Sequence, residues 1–375
     1  MKAKRIILSV VGVLVGLVAL VVILWFSEIR TIASVHQVDS DGYLYEMEYS
    51  ARYDLDDIIE HDIDDNARLL SYVMSKLSKG LYRPEFEKVG GEFSCTSFQA
   101  QKAEGPGYWF GRNYDFFKNP SLVVHSHPKE GYASLSVCDM GHFGYGLEKL
   151  PSSFLKSASC IAAVYVPMDG INEKGLCVSI MALPKQASRQ NEPGKHTVGT
   201  TIIMRLILDR CASVEQAIEL VKSLNVRHDA SGSASGYHYM VADASGDCCV
   251  IEFDKDDQWK TLVVRKGESA NCMHVTNHLL NPKHYTTEPN PEVGNPRSHS
   301  WWRYATVAEY LKAHEGVLSF EQAQECLAKV HWEDLVWDNG KVEDTQYSAV
   351  YDQQNLTLAL RPWNDYDTSF NFTLE

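Results

Sequence analysis

Residues 6 to 26, IILSVVGVLVGLVALVVILWF, contain no charged side chain, and the five residues before them, MKAKR, carry three positive charges. At about 1.5 Å rise per residue, a helix of that length matches the roughly 30 Å hydrocarbon core of a bilayer. A secretory signal has an apolar stretch of about 7–15 residues and a small-residue cleavage site. This run is longer, and only TIAS at 31–34 offers such a site. The expectation is an uncleaved anchor: Lys2, Lys4 and Arg5 stay cytoplasmic and the body lies outside. A cleaved signal, giving a secreted body, is the alternative.

The remainder is long enough for a large core, and 45% of the 375 residues are hydrophobic. The formal charge of -14, from 49 acidic and 35 basic residues, argues against nucleic acid as a partner, because phosphate contacts need a basic surface. Nine cysteines occur, at 95, 138, 160, 177, 211, 248, 249, 272 and 326. None forms a CxxC pair, so no zinc site is expected. An odd number outside the cytoplasm leaves at least one thiol unpaired, and the others are either buried small hydrophobes or disulfides.

Residues 27–94 differ in character from the rest of the chain. Seven acids fall between Asp54 and Asp65, and the apolar residues among and after them, from Leu55 to Met74, fit helical spacing better than alternation. A calcium loop would need a central glycine and a closing Glu, which are missing, so a solvated helical face is expected. KVGGEF (88–93) then leads into a strand. From Cys95 onward the pattern is α+β. Strands are expected at 95–101, 107–113, 121–127, 132–138, 161–166 and 175–183. Helices follow near 199–211 and 213–224. Further strands come at 237–243, 247–254, 259–265 and 272–276, the first two joined by a turn at DASGD. Helices at 300–313 and 319–330 precede a last hairpin, 345–351 with 356–361. SGSASG (231–236) is a small-residue tract, and with Ala234 where a nucleophile would stand it is not a hydrolase elbow.

Cys95 opens the first of these strands. A thiol is the strongest neutral-pH nucleophile among side chains, but it needs a base or a lowered pKa. Fourteen histidines leave a His-assisted route open. A second route needs no other residue. If the bond between Ser94 and Cys95 is cut, the freed α-amine, titrating near 7.7–8.0, lies a few bonds from a thiol titrating near 8.5.

CTSFQAQ (95–101), GRNYDF (111–116) and DGINEKGLCVSIMALP (169–184), in this order and spacing, resemble the choloylglycine hydrolase and penicillin V acylase family and its acid ceramidase-like relatives. These are N-terminal nucleophile hydrolases of linear amides. The resemblance runs from Cys95 to about residue 362. It implies a four-layer αββα sandwich preceded by the membrane helix and a helical pro-segment. The chain then divides into a cytoplasmic tail (1–5), an anchor or signal (6–26), a pro-segment (27–94) and a catalytic domain (95–375). It implies Cys95 as nucleophile and Ser94–Cys95 as the cleavage site. Arg112 and Asp115 would flank the thiol, Asp115 holding the amine and Arg112 favouring thiolate and orienting a substrate carbonyl or carboxylate. Asn277 in HVTNHLL would donate to the oxyanion, and Arg303 in SHSWWRYATVAEYL would support the site through an ion pair. The second oxyanion donor falls at Ala182, where bile-salt hydrolases carry Asn. Only a backbone N–H is available there, which counts against bile-salt specificity more than against hydrolysis.

The expected activity is hydrolysis of a small N-acyl amide through an acyl-thioester, with no metal or organic cofactor. The expected partners are that substrate, the membrane through the N-terminal segment, and a second copy of the chain if it forms a homo-oligomer. Three alternatives stand: acyl transfer from the same thioester, an inactive membrane-tethered binding protein, and a His-assisted cysteine peptidase. His125 and His127 share a strand face, where ordinary half-buried histidines are more frequent than metal ligands.

Overall fold

The computed structural model describes residues 2–86, 94–183, 186–228, 236–285, 299–336, 340 and 342–375. The KVGGEF stretch at 88–93 and residues 231–235 of the small-residue tract lie outside them. Helix α1 spans Lys2–Leu24, and its stretch Ile6–Leu24 is long and apolar enough to cross a membrane, with none of it buried against the protein. Helix α2 (Phe26–Ser34) follows with hardly a break, since Trp25 N–H donates to Val21 O and Ile29 N–H to Trp25 O.

The segment 27–94 departs from the all-helical expectation. It contains α3 (Leu55–Glu60) and α4 (Asn66–Leu77), capped by Asp54 and Asp65. It also contains strands at His36–Gln37 and Leu44–Tyr49. The second pairs in parallel with Ser121–Ser126. The reason is local alternation: Tyr45, Met47 and Tyr49 are buried, whereas Glu46 and Glu48 turn toward His125 at 2.7 and 3.7 Å. Period-2 patterning of this kind suits a half-buried strand. The acids expected on a solvated helical face are used similarly. Asp62 accepts from Thr197 N–H at 2.6 Å, and Asp64 pairs with Arg227 at 3.2 Å.

Two sheets carry the body. The first has nine strands, in the order 36–37, 44–49, 121–126, 134–139, 169–172, 177–183, 236–242, 248–254 and 260–265. The second has eight. Its main path runs 272–275, 94–102, 108–116, 342–352, 357–362 and 370–373, with short partners at 317–318 and 335–336. Helices α5 (Ile202–Arg210) and α6 (Val214–Ser223) pack on the first sheet; α7 (His299–Ala313) and α8 (Phe320–Ala328) pack on the second. The run 161–166, expected as a strand, is 3₁₀ helix over Ala158–Tyr165. IAAVYV is apolar throughout, and a short apolar run fits a buried helical turn as well as a strand.

Alternation along Ser94–Lys102 sets the geometry. Ser97 faces the first sheet, where its hydroxyl meets that of Ser179 at 2.9 Å. Phe98 and Ala100 point the other way, into the cluster built on Trp302, Val307 and Leu327 of α7 and α8. Close approach there requires Gly111, because a Cβ at that position would lie 2.3 Å from the Phe98 ring. Cys95 shares the face of Ser97 and belongs to the core between the sheets, while Thr96 faces α7.

Candidate active site

Sheet register brings the first residues together. In the antiparallel pair of 94–102 with 108–116, Ser94 lies opposite Asp115, Cys95 opposite Tyr114 and Ser97 opposite Arg112. On 108–116, Arg112 and Tyr114 face the space between the sheets, and Asn113 and Asp115 face α7 and α8. The strand 272–275 is hydrogen-bonded to 94–102 on its other side, and the chain just beyond it delivers Thr276 and Asn277. The first turn of α7 fixes that corner: Ser300 Oγ accepts from Asn277 N–H at 2.8 Å, and Thr276 Oγ1 donates to Ser300 O at 2.9 Å.

One turn further along α7, Arg303 reaches into the same point and is fully buried. Its Nη1 donates to Cys95 O and, at 2.8 Å, to Thr96 Oγ1. Its Nη2 donates to Asn277 Oδ1 at 2.7 Å and to His299 Nδ1 at 2.9 Å. Asp115 Oδ2 lies 3.8 Å from Nη1. Asn277 therefore stands between three groups. Its Oδ1 also accepts from Cys95 N–H at 2.7 Å, and its Nδ2 donates to Ala182 O at 2.8 Å. Ala182 thus meets Asn277 through its carbonyl. Ser94 Oγ is 3.4 Å from His299 Nδ1 and 3.5 Å from Glu343 Oε2.

Cys95 is wholly buried, and burial pushes its thiol up to about 12, against the pull of the Arg112 and Arg303 guanidiniums. In the continuous chain the sulfur is therefore a neutral thiol. Asp115 is also raised by burial, to about 6, with Arg303 and the Thr345 hydroxyl opposing that rise. Burial lowers Arg303. Burial likewise acts against the charge on Arg112, but its buried partners, the Asp169 carboxylate among them, hold the guanidinium above its ordinary value.

Five side chains complete the arrangement without having been singled out by the sequence. Asp169 receives Arg112 Nε at 3.4 Å and the hydroxyls of Tyr347 and Tyr351. Thr345 Oγ1 donates to Asp115 Oδ1 at 2.6 Å, and Thr96 holds Arg303. Asp169 opens DGIN, so its type was visible. Its role was not, because Arg112 and the two tyrosines lie 57 to 182 residues away. With Nε on Asp169, Nη1 and Nη2 of Arg112 meet no hydrogen-bond acceptor among the described residues. They border the Cys95 thiol, where an incoming carbonyl or carboxylate could use them. We expect Asp169→Asn to leave a buried guanidinium without its counter-charge and to lower stability by about 3–5 kcal/mol, read as a fall in the denaturant midpoint at unchanged m-value.

His125 and several other polar and aromatic side chains serve elsewhere. His125 is bound to Glu46. Trp301 stacks on His278, Trp302 packs edge-on against Trp332, and Trp109 Nε1 donates to Leu318 O. Asp254, Asp256 and His284 have ligand-like spacing, but Lys283 Nζ already lies 2.6 Å from Asp254. All nine cysteines are free thiols.

Residues 101–364 match the model of the family described as acyl-coenzyme A:6-aminopenicillanic acid acyl-transferase. That range takes in Arg112, Asp115, Ala182, Asn277 and Arg303 and begins six residues after Cys95. Among solved structures, two variants of a conjugated bile acid hydrolase from Clostridium perfringens share the fold. One is 16% identical with TM-score 0.55, covering 75% of this chain and 92% of that one. The other is 17% identical with TM-score 0.54, covering 74% and 92%. A penicillin V acylase from Agrobacterium tumefaciens aligns at 14% identity and TM-score 0.48, over 74% of this chain and 85% of its own. With a family match over most of its length, the chain belongs to the acyl-coenzyme A:6-aminopenicillanic acid acyl-transferase family.

Proposed function

We propose that this protein is a membrane-tethered amidase that cuts itself between Ser94 and Cys95 and then hydrolyses a small linear N-acyl amide. One observation carries the reading. The backbone nitrogen of Cys95 is held 2.7 Å from a side-chain carbonyl, Asn277 Oδ1, which is itself fixed by Arg303. That nitrogen is the atom a cut would convert into an amine. We read the layers as αββα, with α5 and α6 on the first sheet and α7 and α8 on the second.

In the first step, Cys95 Sγ attacks the Ser94 carbonyl, the C–N bond breaks with proton transfer to nitrogen, and a thioester links Ser94 to sulfur. Water hydrolyses it, leaving a Ser94 carboxylate, a free thiol and a free α-amine. In turnover, that amine takes the thiol proton and the thiolate attacks the substrate amide. Asn277 Nδ2 and the Ala182 N–H stabilise the oxyanion, Asn277 Oδ1 orients the amine, and Asp115 balances its charge. The ammonium then protonates the leaving amine, and water releases the acid from the thioester. Arg112 steers the substrate carbonyl or carboxylate.

The segment before the cut stays attached. It contains no cysteine, so no disulfide can join it to the rest. It is held by its parallel strand and by Asp56–Arg210 at 2.8 Å and Tyr53–Asp209 at 3.2 Å. Cleavage thus leaves α1, and with it the tether, bound to the catalytic part outside the cytoplasm.

The family description favours one second reading, transfer of the acyl group to an amine instead of water. A His-assisted peptidase is disfavoured: His299 spends Nδ1 on Arg303, and burial drives its pKa well below the ordinary value. We expect brief incubation with an activated N-acyl substrate, followed by acid quench, to show one acyl group on a peptide beginning at Cys95. An added amine acceptor should leave free acid as the main product if hydrolysis is the reaction, and should divert the acyl group into a new amide if transfer is. The absence of any acyl adduct would count against both.

A further inference from the structure

The loop after α4, KGLYR (79–83), is exposed throughout, with Leu81 at 80% and Tyr82 at 57% of full exposure. Such side chains on a loop tip need no explanation individually, but this loop is bound to the end of α1. Trp25 Nε1 donates to Leu77 O at 3.0 Å, and Lys79 Nζ lies 4.9 Å from the Trp25 ring centroid and 3.4 Å from Glu28. Phe26, the next residue of the chain, is 61% exposed.

No slack separates this region from α1. The helical hydrogen bonds run through Trp25 into α2, and α2 is pinned to the body because Thr31 Oγ1, fully buried, accepts from the N–H groups of Ser50 and Ala51 at 2.9 and 2.8 Å. If α1 crosses a bilayer, the body cannot drift away on a linker. Trp25, Phe26, Leu81 and Tyr82 then sit where α1 leaves the hydrocarbon, at the depth favoured by aromatic residues. Lys79 lies over the Trp25 ring and 3.4 Å from Glu28, and Arg83 is exposed on the same loop; cations at that depth are attracted to anionic headgroups. This aromatic collar, with Lys79 and Arg83 on its loop, belongs to a chain whose net charge is -14.

We propose that the 79–83 loop, together with Trp25 and Phe26, is a second membrane contact that seats the body on the outer face of an anionic bilayer. The proposal rests on α1 being retained as a span. It does not depend on the amidase reading.

The test uses the full chain in nanodiscs containing phosphatidylglycerol, with an environment-sensitive fluorophore on Leu81→Cys. A second sample carries it on Lys260→Cys, at the far edge of the nine-stranded sheet. Spin-labelled lipid with a shallow nitroxide should quench the Leu81→Cys probe several-fold more than the Lys260→Cys probe, and Tyr82→Glu with Lys79→Glu should reduce that difference. Equal, weak quenching at both sites would overturn the proposal. N-terminal sequencing of the same preparation separates the two failures. If α1 has been removed, the span reading fails and Trp25 and Phe26 go with it; binding of the remaining body to phosphatidylglycerol vesicles, abolished by Tyr82→Glu with Lys79→Glu, then decides whether the 79–83 loop alone contacts lipid, and no binding overturns the proposal.

Discussion

Cys95→Ala yields a single uncut chain with no amidase turnover. Loss of a nucleophile from a concerted site costs on the order of 10⁶-fold in kcat, which places the variant at background. Processing fails for the same reason, since the sulfur that attacks substrate is the one that attacks the Ser94 carbonyl. The fold survives. Cys95 lies in a core of dozens of buried side chains, and removing one sulfur is an ordinary substitution worth about 1 kcal/mol. Circular dichroism and the thermal midpoint check the fold, a denaturing gel checks processing, and release of acid from an N-acyl amide checks turnover. Normal processing in this variant would show that another group or a separate protease makes the cut.

Asn277→Ala retains the nucleophile and loses about 10²–10³-fold in kcat, the range for removing one oxyanion donor, or about 2.7–4 kcal/mol in the barrier. The side chain also connects Cys95 N–H, Arg303 and the Ala182 carbonyl, so truncation has a structural component. Asn277→Asp separates the two. It keeps Oδ1 for the Cys95 nitrogen and Arg303 but turns the donor facing Ala182 O into an acceptor. If Nδ2 stabilises the transition state, both variants lower kcat while KM stays within a few-fold. If Asn277 only holds the Cys95 nitrogen in place, Asn277→Asp remains close to wild type. A stability measurement alongside the kinetics removes folding as the cause in either case.

The parts of this site differ in how far the sequence discloses them. Cys95, Arg112 and Asp115 lie on neighbouring strands of a hairpin-like pair, so their spacing reflects their register. Asn277 and Arg303 sit at the end of a strand and one turn into a helix, both within short motifs. The partners that set their properties cannot be read this way. Asp169 belongs to the other sheet, and Thr345 to a strand 230 residues from Asp115. Burial is equally non-local: nothing near Cys95 in sequence says that its thiol is pushed up to about 12.

The leading segment shows the same limit. Tyr45, Met47 and Tyr49 alternate with Glu46 and Glu48 in plain view, but the neighbouring run of acids and the helical spacing outweigh that short alternation. Only the parallel partner at 121–126 makes those residues a strand. The stretch 161–166 errs in the opposite direction, because six apolar residues in a row carry no period and tertiary packing turns them into 3₁₀ helix.

The proposed chemistry depends on the Cys95 backbone nitrogen becoming the catalytic base. Mass spectrometry of the purified wild-type protein, under native and then denaturing conditions, with sequencing of each N-terminus, tests this most directly. The expected outcome is one native complex that separates on denaturation into two chains, one ending at Ser94 and one beginning at Cys95, with activity in proportion to the cut fraction. A single continuous chain that hydrolyses N-acyl amides at full rate would contradict it.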